Sequence, residues 1–426
     1  MTYLKYSWVN HLKYGSLALF LGLVAVASAR VAGQAPATPA KTVGKAVPPT
    51  PAVQIPGTSG RPAPTTPWAH PKTQWGDPDL QGIWRNREAL PAERPASFKG
   101  REFLTHQERA DRYARSAAAM DKRLTGTSTN IGYRNQENYN SIYGYIEEEP
   151  LITYRTSAIV DPPNGLYPPW TLEAVKMWEE REAATAGHGE TDTTVDMELD
   201  GRCIYHMRVA KASVWGLGSG GGDPIGDGMD AENADGIGNR EATARRIMQS
   251  PGYVFITKEE SSEYRIVPLN KGPHIPQAIR QFLGDSRGWF EGNTLVVETT
   301  NIKFEYPVIQ NYSGMYPGSG EMLTVTERYT RTDADHIEYR VTMNNPGIYT
   351  RPYTMLRTFT RDDSFVFSTV VCQENTKEMA NVLSLSQVDR PRSLALGKES
   401  VDLRRPRFEA VKKEAIEEAN RLKGNK

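Results

Sequence analysis

Two charged residues stand out because of the company they keep. Side chains of a β-strand alternate between two faces. From Leu323 to Tyr329 one face carries Leu323, Val325, Glu327 and Tyr329, and the other carries Thr324, Thr326 and Arg328. From Met355 to Phe359 the same alternation puts Arg357 beside Met355 and Phe359. If the apolar faces point inward, Glu327 and Arg357 are charges inside the protein. Burying either alone is costly, so they are expected to pair with each other or to serve a ligand. A small-molecule site formed by Glu327, Arg357 and Tyr329 is one consequence. The other is acid–base catalysis by Glu327 together with His274 or Asp285. The plainer readings are a structural salt bridge, or a glutamate at a rim that reaches water.

Other candidates carry less. Gly284-Asp285-Ser286-Arg287-Gly288 satisfies the G-x-S-x-G pattern of a nucleophile elbow. That motif needs a strand before it and a helix after it, and here the helix-like segment Pro276 to Leu283 comes first. A Gly-rich turn tied down by Asp285 and Arg287 fits the context better. Asp230, Glu232 and Glu241 fall at positions 1, 3 and 12 of a calcium loop, but Asp235 occupies the position that requires glycine. His206, His274 and His336 have no metal-ligand spacing, so neither a metal nor a cofactor is expected. Tyr133, Tyr139, Tyr143, Tyr145 and Tyr154, with Trp170 and Trp178, offer stacking surfaces for a ligand or filling for loops packed on a sheet.

The elements that must position these residues are mostly strands. Gly82-Ile83-Trp84 is the first. Then come Tyr253 to Lys258, Tyr264 to Leu269, Gly288 to Thr300, Leu323 to Arg331, His336 to Asn344, Met355 to Arg361 and Phe365 to Cys372. Gly292-Asn293, Asp333-Ala334-Asp335 and Asp362-Asp363 supply turns. The fold class is mainly β: an antiparallel meander of about eight strands, closing into a barrel or folding as a sandwich. Closure removes unpaired edges, which favours the barrel. Helices are expected from Thr105, where Thr105 and Glu108 form a capping box, to Lys122; over Leu172 to Ala184 with Thr171 as N-cap; and over Phe408 to Leu422.

The amino terminus reads as an export signal over residues 1–29. Lys5 and Lys13 precede an apolar run, Gly15 to Ala29, that ends in Ala27-Ser28-Ala29. The run is shorter than the ~20 residues of a permanent membrane helix. Residues 30–74 are rich in Pro, Ala and Thr and read as a disordered linker. A single β-rich domain is expected over residues 75–400, with a Gly-rich acidic loop at 215–240, and residues 401–426 as an amphipathic carboxy-terminal helix. The location implied is extracytoplasmic. In an oxidising compartment Cys203 and Cys372 are expected to form a disulfide. Fifty-one basic and 51 acidic residues cancel, which argues against nucleic acid as a partner. The meander and the charges on its apolar faces point to a small-molecule partner, and no stable membrane anchor is expected after signal cleavage.

Three blocks carry a resemblance. They are Pro78-Asp79-Leu80-Gln81-Gly82-Ile83-Trp84; Arg155-Thr156-Ser157 with Val160-Asp161-Pro162-Pro163; and Gly284 to Gly288 running into Glu291-Gly292-Asn293-Thr294-Leu295-Val296-Val297. Together they resemble a family of exported bacterial proteins to which no activity is assigned, over about Trp75 to Cys372. The acidic loop departs from that family's pattern. More distantly, Gly82-x-Trp84 on a first strand followed by a meander is similar to lipocalin-like (calycin) barrels. That likeness implies a tryptophan closing one barrel end, Trp84, above an interior that holds a small apolar ligand.

Overall fold

A computed structural model describes residues 68–85, 90–111, 114, 153–189, 192–193, 244–258, 264–281, 283–302, 308–311, 314–317, 322–365, 384 and 387–424. The strands, in chain order, are β1 (Gly82–Arg85), β2 (Ile159–Asp161), β3 (Ala244–Ser250), β4 (Tyr253–Lys258), β5 (Tyr264–Pro268), β6 (Asp285–Glu291), β7 (Thr294–Thr300), β8 (Val308–Asn311), β9 (Gly314–Pro317), β10 (Thr324–Arg331), β11 (His336–Asn344) and β12 (Tyr353–Arg361). All but β8 and β9, which pair with each other, belong to one ten-stranded antiparallel sheet. Its order is β5-β4-β3-β1-β12-β11-β10-β7-β6, with β2 also on β12. Followed from β1, this is an up-and-down meander whose first and last strands pair, so the sheet curls into a nearly closed barrel.

The seam lies between β5 and β6, which are in contact. Just past β5, the Lys271 amide donates to the Gly288 carbonyl at 3.4 Å. Gly288 is required there, because a Cβ would come within 2.8 Å of Val267 Cγ1 and 3.0 Å of Leu269 Cδ2. The missing side chain lets the two edges close with Val267 filling the space. On the opposite wall β12 changes partners along its length. Thr360 and Arg361 pair with β1, and Thr354 and Met355 pair with β2.

Alternation builds the core. Val325, Glu327, Tyr329 and Arg331 of β10 face inward, in register with Met343, Val341, Tyr339 and Ile337 of β11. These meet Tyr353, Met355, Arg357 and Phe359 of β12. Most of this interior is apolar and buried, from Ile247 and Val254 on one side to Leu295 and Val297 on the other. The expected strand Gly288 to Thr300 is two strands, β6 and β7, reversed at Gly292-Asn293 with Gly292 at φ 61°. Phe365 lies in a turn after β12, and residues 366–372 are outside the described residues.

Two helices pack together outside the sheet. The first, α1 (Leu172–Ala184), is capped as expected: Thr171 Oγ1 accepts from the Ala174 amide at 3.0 Å and donates to the Gly347 carbonyl at 2.8 Å. The second, α2 (Arg390–Gly424), starts well before Phe408 and carries Pro406 within it. Trp170, Ala174, Val175 and Trp178 meet Phe408, Ala415 and Ile348 in a satellite core. Trp170 and Trp178 are thus filling between helices, not a stacking surface. The capping box near residue 105 is formed, with Glu108 Oε2 accepting from the Thr105 amide at 2.8 Å and Thr105 Oγ1 from the Glu108 amide at 3.2 Å. Arg101 and Thr105 bind the Glu108 carboxylate and draw its pKa down to about 2. Residues 106–111 are helical, and the rest of that expected helix falls almost wholly outside the described residues. Among the described residues no helix is long and apolar enough to cross a membrane.

Candidate functional site

Glu327 lies inside the barrel, fully buried, with four donor contacts on its carboxylate. Arg265, reaching from β5 near the seam, donates from Nη1 to Oε2 at 2.5 Å and from Nη2 to Oε1 at 2.9 Å. The hydroxyls of Tyr329 and Tyr339 donate to Oε1 at 2.6 and 2.9 Å. Burial alone would lower the Arg265 pKa, but the charge and hydrogen bonds of Glu327 outweigh it and the value is raised. Burial, reinforced by the Glu327 charge, pushes both tyrosine hydroxyls well above the usual phenol range. The cluster ties β5 to β10 across the interior.

The expected pairing of Glu327 with Arg357 is corrected by this geometry. Arg357 is also inside and 1% exposed, yet it turns to the Leu90 carbonyl, donating from Nη1 at 2.6 Å. The physical reason is the exchange of partners on β12. Arg357 sits between the stretches that pair with β1 and β2, where the backbone at Leu90 comes close enough to accept. Tyr329 lies on the inner face as expected, its ring tilted 48° to that of Tyr339 with centroids 4.8 Å apart. Trp84 is fully buried, its indole N–H on the Leu80 carbonyl at 2.9 Å. The guanidinium groups of Arg331 and Arg361 lie 5.4 and 5.8 Å from its ring, so protein groups already cover it.

His274 and Asp285 are brought together, but not with Glu327. Gly288, Val297 and Glu327 share a register row and the inner face, so Asp285 and Arg287, at odd spacing from Gly288, lie on the outer face. There His274 Nδ1 lies 2.7 Å from Asp285 Oδ2, and its Nε2 lies 3.1 Å from Glu298 Oε1. Arg287 Nη1 donates to Asp285 Oδ1 at 2.6 Å. A catalytic set of Glu327 with His274 or Asp285 would have to act through the sheet, which the placement forbids. Ser286 faces inward near the start of β6, its Oγ 2.8 Å from Thr299 Oγ1. No elbow lifts it. Over the helix-like segment Pro276 to Leu283, the described residues are irregular chain instead. Asn301 replaces the helix, its amide nitrogen donating to the carbonyls of Ile275, Pro276 and Ile279 at 2.9–3.2 Å.

The residue that sequence reasoning missed is Arg245 on β3. It faces the interior in register with Trp84 and is 3% exposed. Its guanidinium carbon lies 4.7 Å from the centre of the Phe359 ring, and Phe359 stacks on Tyr339 at 4.9 Å. Both terminal nitrogens of Arg245 are buried without a hydrogen-bond partner among the described residues. Burial lowers its pKa; Tyr339, Tyr329 and Glu327 pull the value back up, and the Arg265 charge pushes it down further.

Cys203, Cys372, the acidic loop at 215–240, and Tyr133 to Tyr145 lie outside the described residues. Among those described, no group of three or more His, Cys, Asp or Glu residues has the arrangement to hold a metal ion. No protein-family model, curated protein or solved structure matches the chain.

Proposed function

We propose that the protein is an extracytoplasmic, small-molecule-binding β-barrel, and that the polar cluster around Glu327 receives the polar end of its ligand. The observation that carries this reading is Arg245. A buried ion without a partner costs several kcal/mol even after the surroundings relax. The Phe359 face returns about 2 kcal/mol of that as a desolvated cation–π contact. The balance favours replacing such a residue by leucine or methionine, unless something else binds the guanidinium. A ligand entering the barrel supplies the missing acceptors.

Placement also weakens the enzymatic alternative, a secreted hydrolase, lyase or isomerase using an interior carboxylate and a histidine. Glu327 and His274 occupy opposite faces of one sheet, and every contact on Glu327 comes from a donor that holds it in place. The export signal, the linker and the likeness to exported proteins support the extracytoplasmic part of the reading. It is tested by thermal unfolding of the full chain against a panel of acidic, basic and neutral small molecules. A ligand present at 100 times its Kd stabilises by about 2.7 kcal/mol. A saturable rise in Tm with at least one chemical class is expected; a flat response to all of them would overturn the reading.

A further inference from the structure

Resting on the ligand-binding reading, we infer that the barrel interior selects a monocarboxylate with an apolar body, held by Arg245. The Glu327 carboxylate already takes both terminal nitrogens of Arg265 and both tyrosine hydroxyls. A basic ligand would find its acceptor occupied, and a neutral alcohol would find those hydroxyls committed. What remains is the donor fork of Arg245, whose two terminal nitrogens have no hydrogen-bond partner among the described residues.

Shape and charge then narrow the ligand. A guanidinium presents two parallel N–H donors in one plane, which match the two oxygens of a carboxylate. Within the cluster two guanidinium groups face one carboxylate, so a single negative charge neutralises the surplus. The walls near Arg245 are Phe359, Ile247 and Ile256, all buried and apolar. They suit a hydrocarbon body.

The test is calorimetric titration of the full chain with acetate, benzoate and decanoate, each beside its amide. Losing a charge-assisted, bidentate contact weakens binding by about tenfold or more. At least one acid is expected to bind, and to bind tighter than its amide by that factor. Arg245→Met should abolish the preference, and Arg245→Lys, which keeps the charge without the fork, should reduce it. In the absence of ligand, Arg245→Met should raise Tm, because it removes an unpaired buried charge; a purely structural arginine would give a fall. Acid and amide binding equally would overturn the carboxylate assignment and leave the ligand-binding reading standing. No binding by these probes, with a flat response across the wider panel, would remove both. Should Arg245→Met fail to fold, the acid-to-amide ratio of Arg245→Lys decides: an unchanged ratio overturns the role of Arg245.

Discussion

Two ionic clusters lie on opposite faces of one sheet, the outer on β6 and β7 and the inner on β5, β10 and β11, and their difference is instructive. Outside, His274, Asp285, Arg287 and Glu298 exchange close contacts, but Glu298 is 40% exposed and water reaches the group. Inside, Glu327 is wholly buried and accepts hydrogen bonds from Arg265, Tyr329 and Tyr339. Exposed ion pairs contribute little because solvent competes for each partner. A buried pair is unforgiving, since removing one member strands the other in a medium that cannot solvate it. The outer cluster therefore reads as a clamp on the irregular chain at 274–281. The inner one sets what the barrel can accept.

The sharpest way to break this contrast is Glu327→Leu. It strips the buried Arg265 guanidinium of its hydrogen-bonded counter-ion and should destabilise by about 3–5 kcal/mol in chemical denaturation. A loss below about 1 kcal/mol would mean that water reaches the interior. Alkali makes the next largest effect. Tyr329 and Tyr339 have folded pKa values above those of the unfolded chain, so their neutral forms favour folding. That contribution is complete below about pH 10 and is lost as pH rises towards the folded values, by about 1.4 kcal/mol per pH unit for each tyrosine. Phenolate absorbance should therefore lag until the barrel unfolds. Ionisation of all tyrosines near pH 10 in folded protein would contradict the buried cluster.

Smaller effects sharpen the comparison. Tyr339→Phe removes one of the donors to Glu327 and should cost about 1–2 kcal/mol. His274→Ala on the outer face should cost about 1 kcal/mol or less, and should leave ligand binding unchanged. If His274→Ala proved as damaging as Glu327→Leu, the distinction between the two faces would collapse.

The sequence told these faces apart unevenly, for reasons visible in single strands. His336 to Asn344 was legible to the residue, because Ile337, Tyr339, Val341 and Met343 alternate cleanly with polar partners. Glu327 was placed inside by the apolar residues around it. Its partner was not legible. In β5, Tyr264 and Ile266 are 66% and 50% exposed while Arg265 and Val267 face inward, so the pattern points the wrong way. Likewise β3 was overlooked because its inner face carries Arg245 and Gln249 around Ile247, which breaks the rule of an apolar inner face. The strands that hide from a pattern of apolar faces are those that line the polar cluster. One signal was available: a glutamate committed to the interior demands a cation, and Arg357 was the one that shared a face with apolar residues, Met355 and Phe359, on a recognised strand. The carbonyl of Leu90, invisible in any periodicity, claimed it first.

A crystal structure of the full chain with the tightest-binding acid of the series addresses the account most directly. Both carboxylate oxygens should lie within hydrogen-bond distance of the Arg245 terminal nitrogens, with the Arg265–Glu327 pair undisturbed. An acid bound elsewhere, or an Arg245 whose terminal nitrogens are taken up by protein carbonyls, would contradict it.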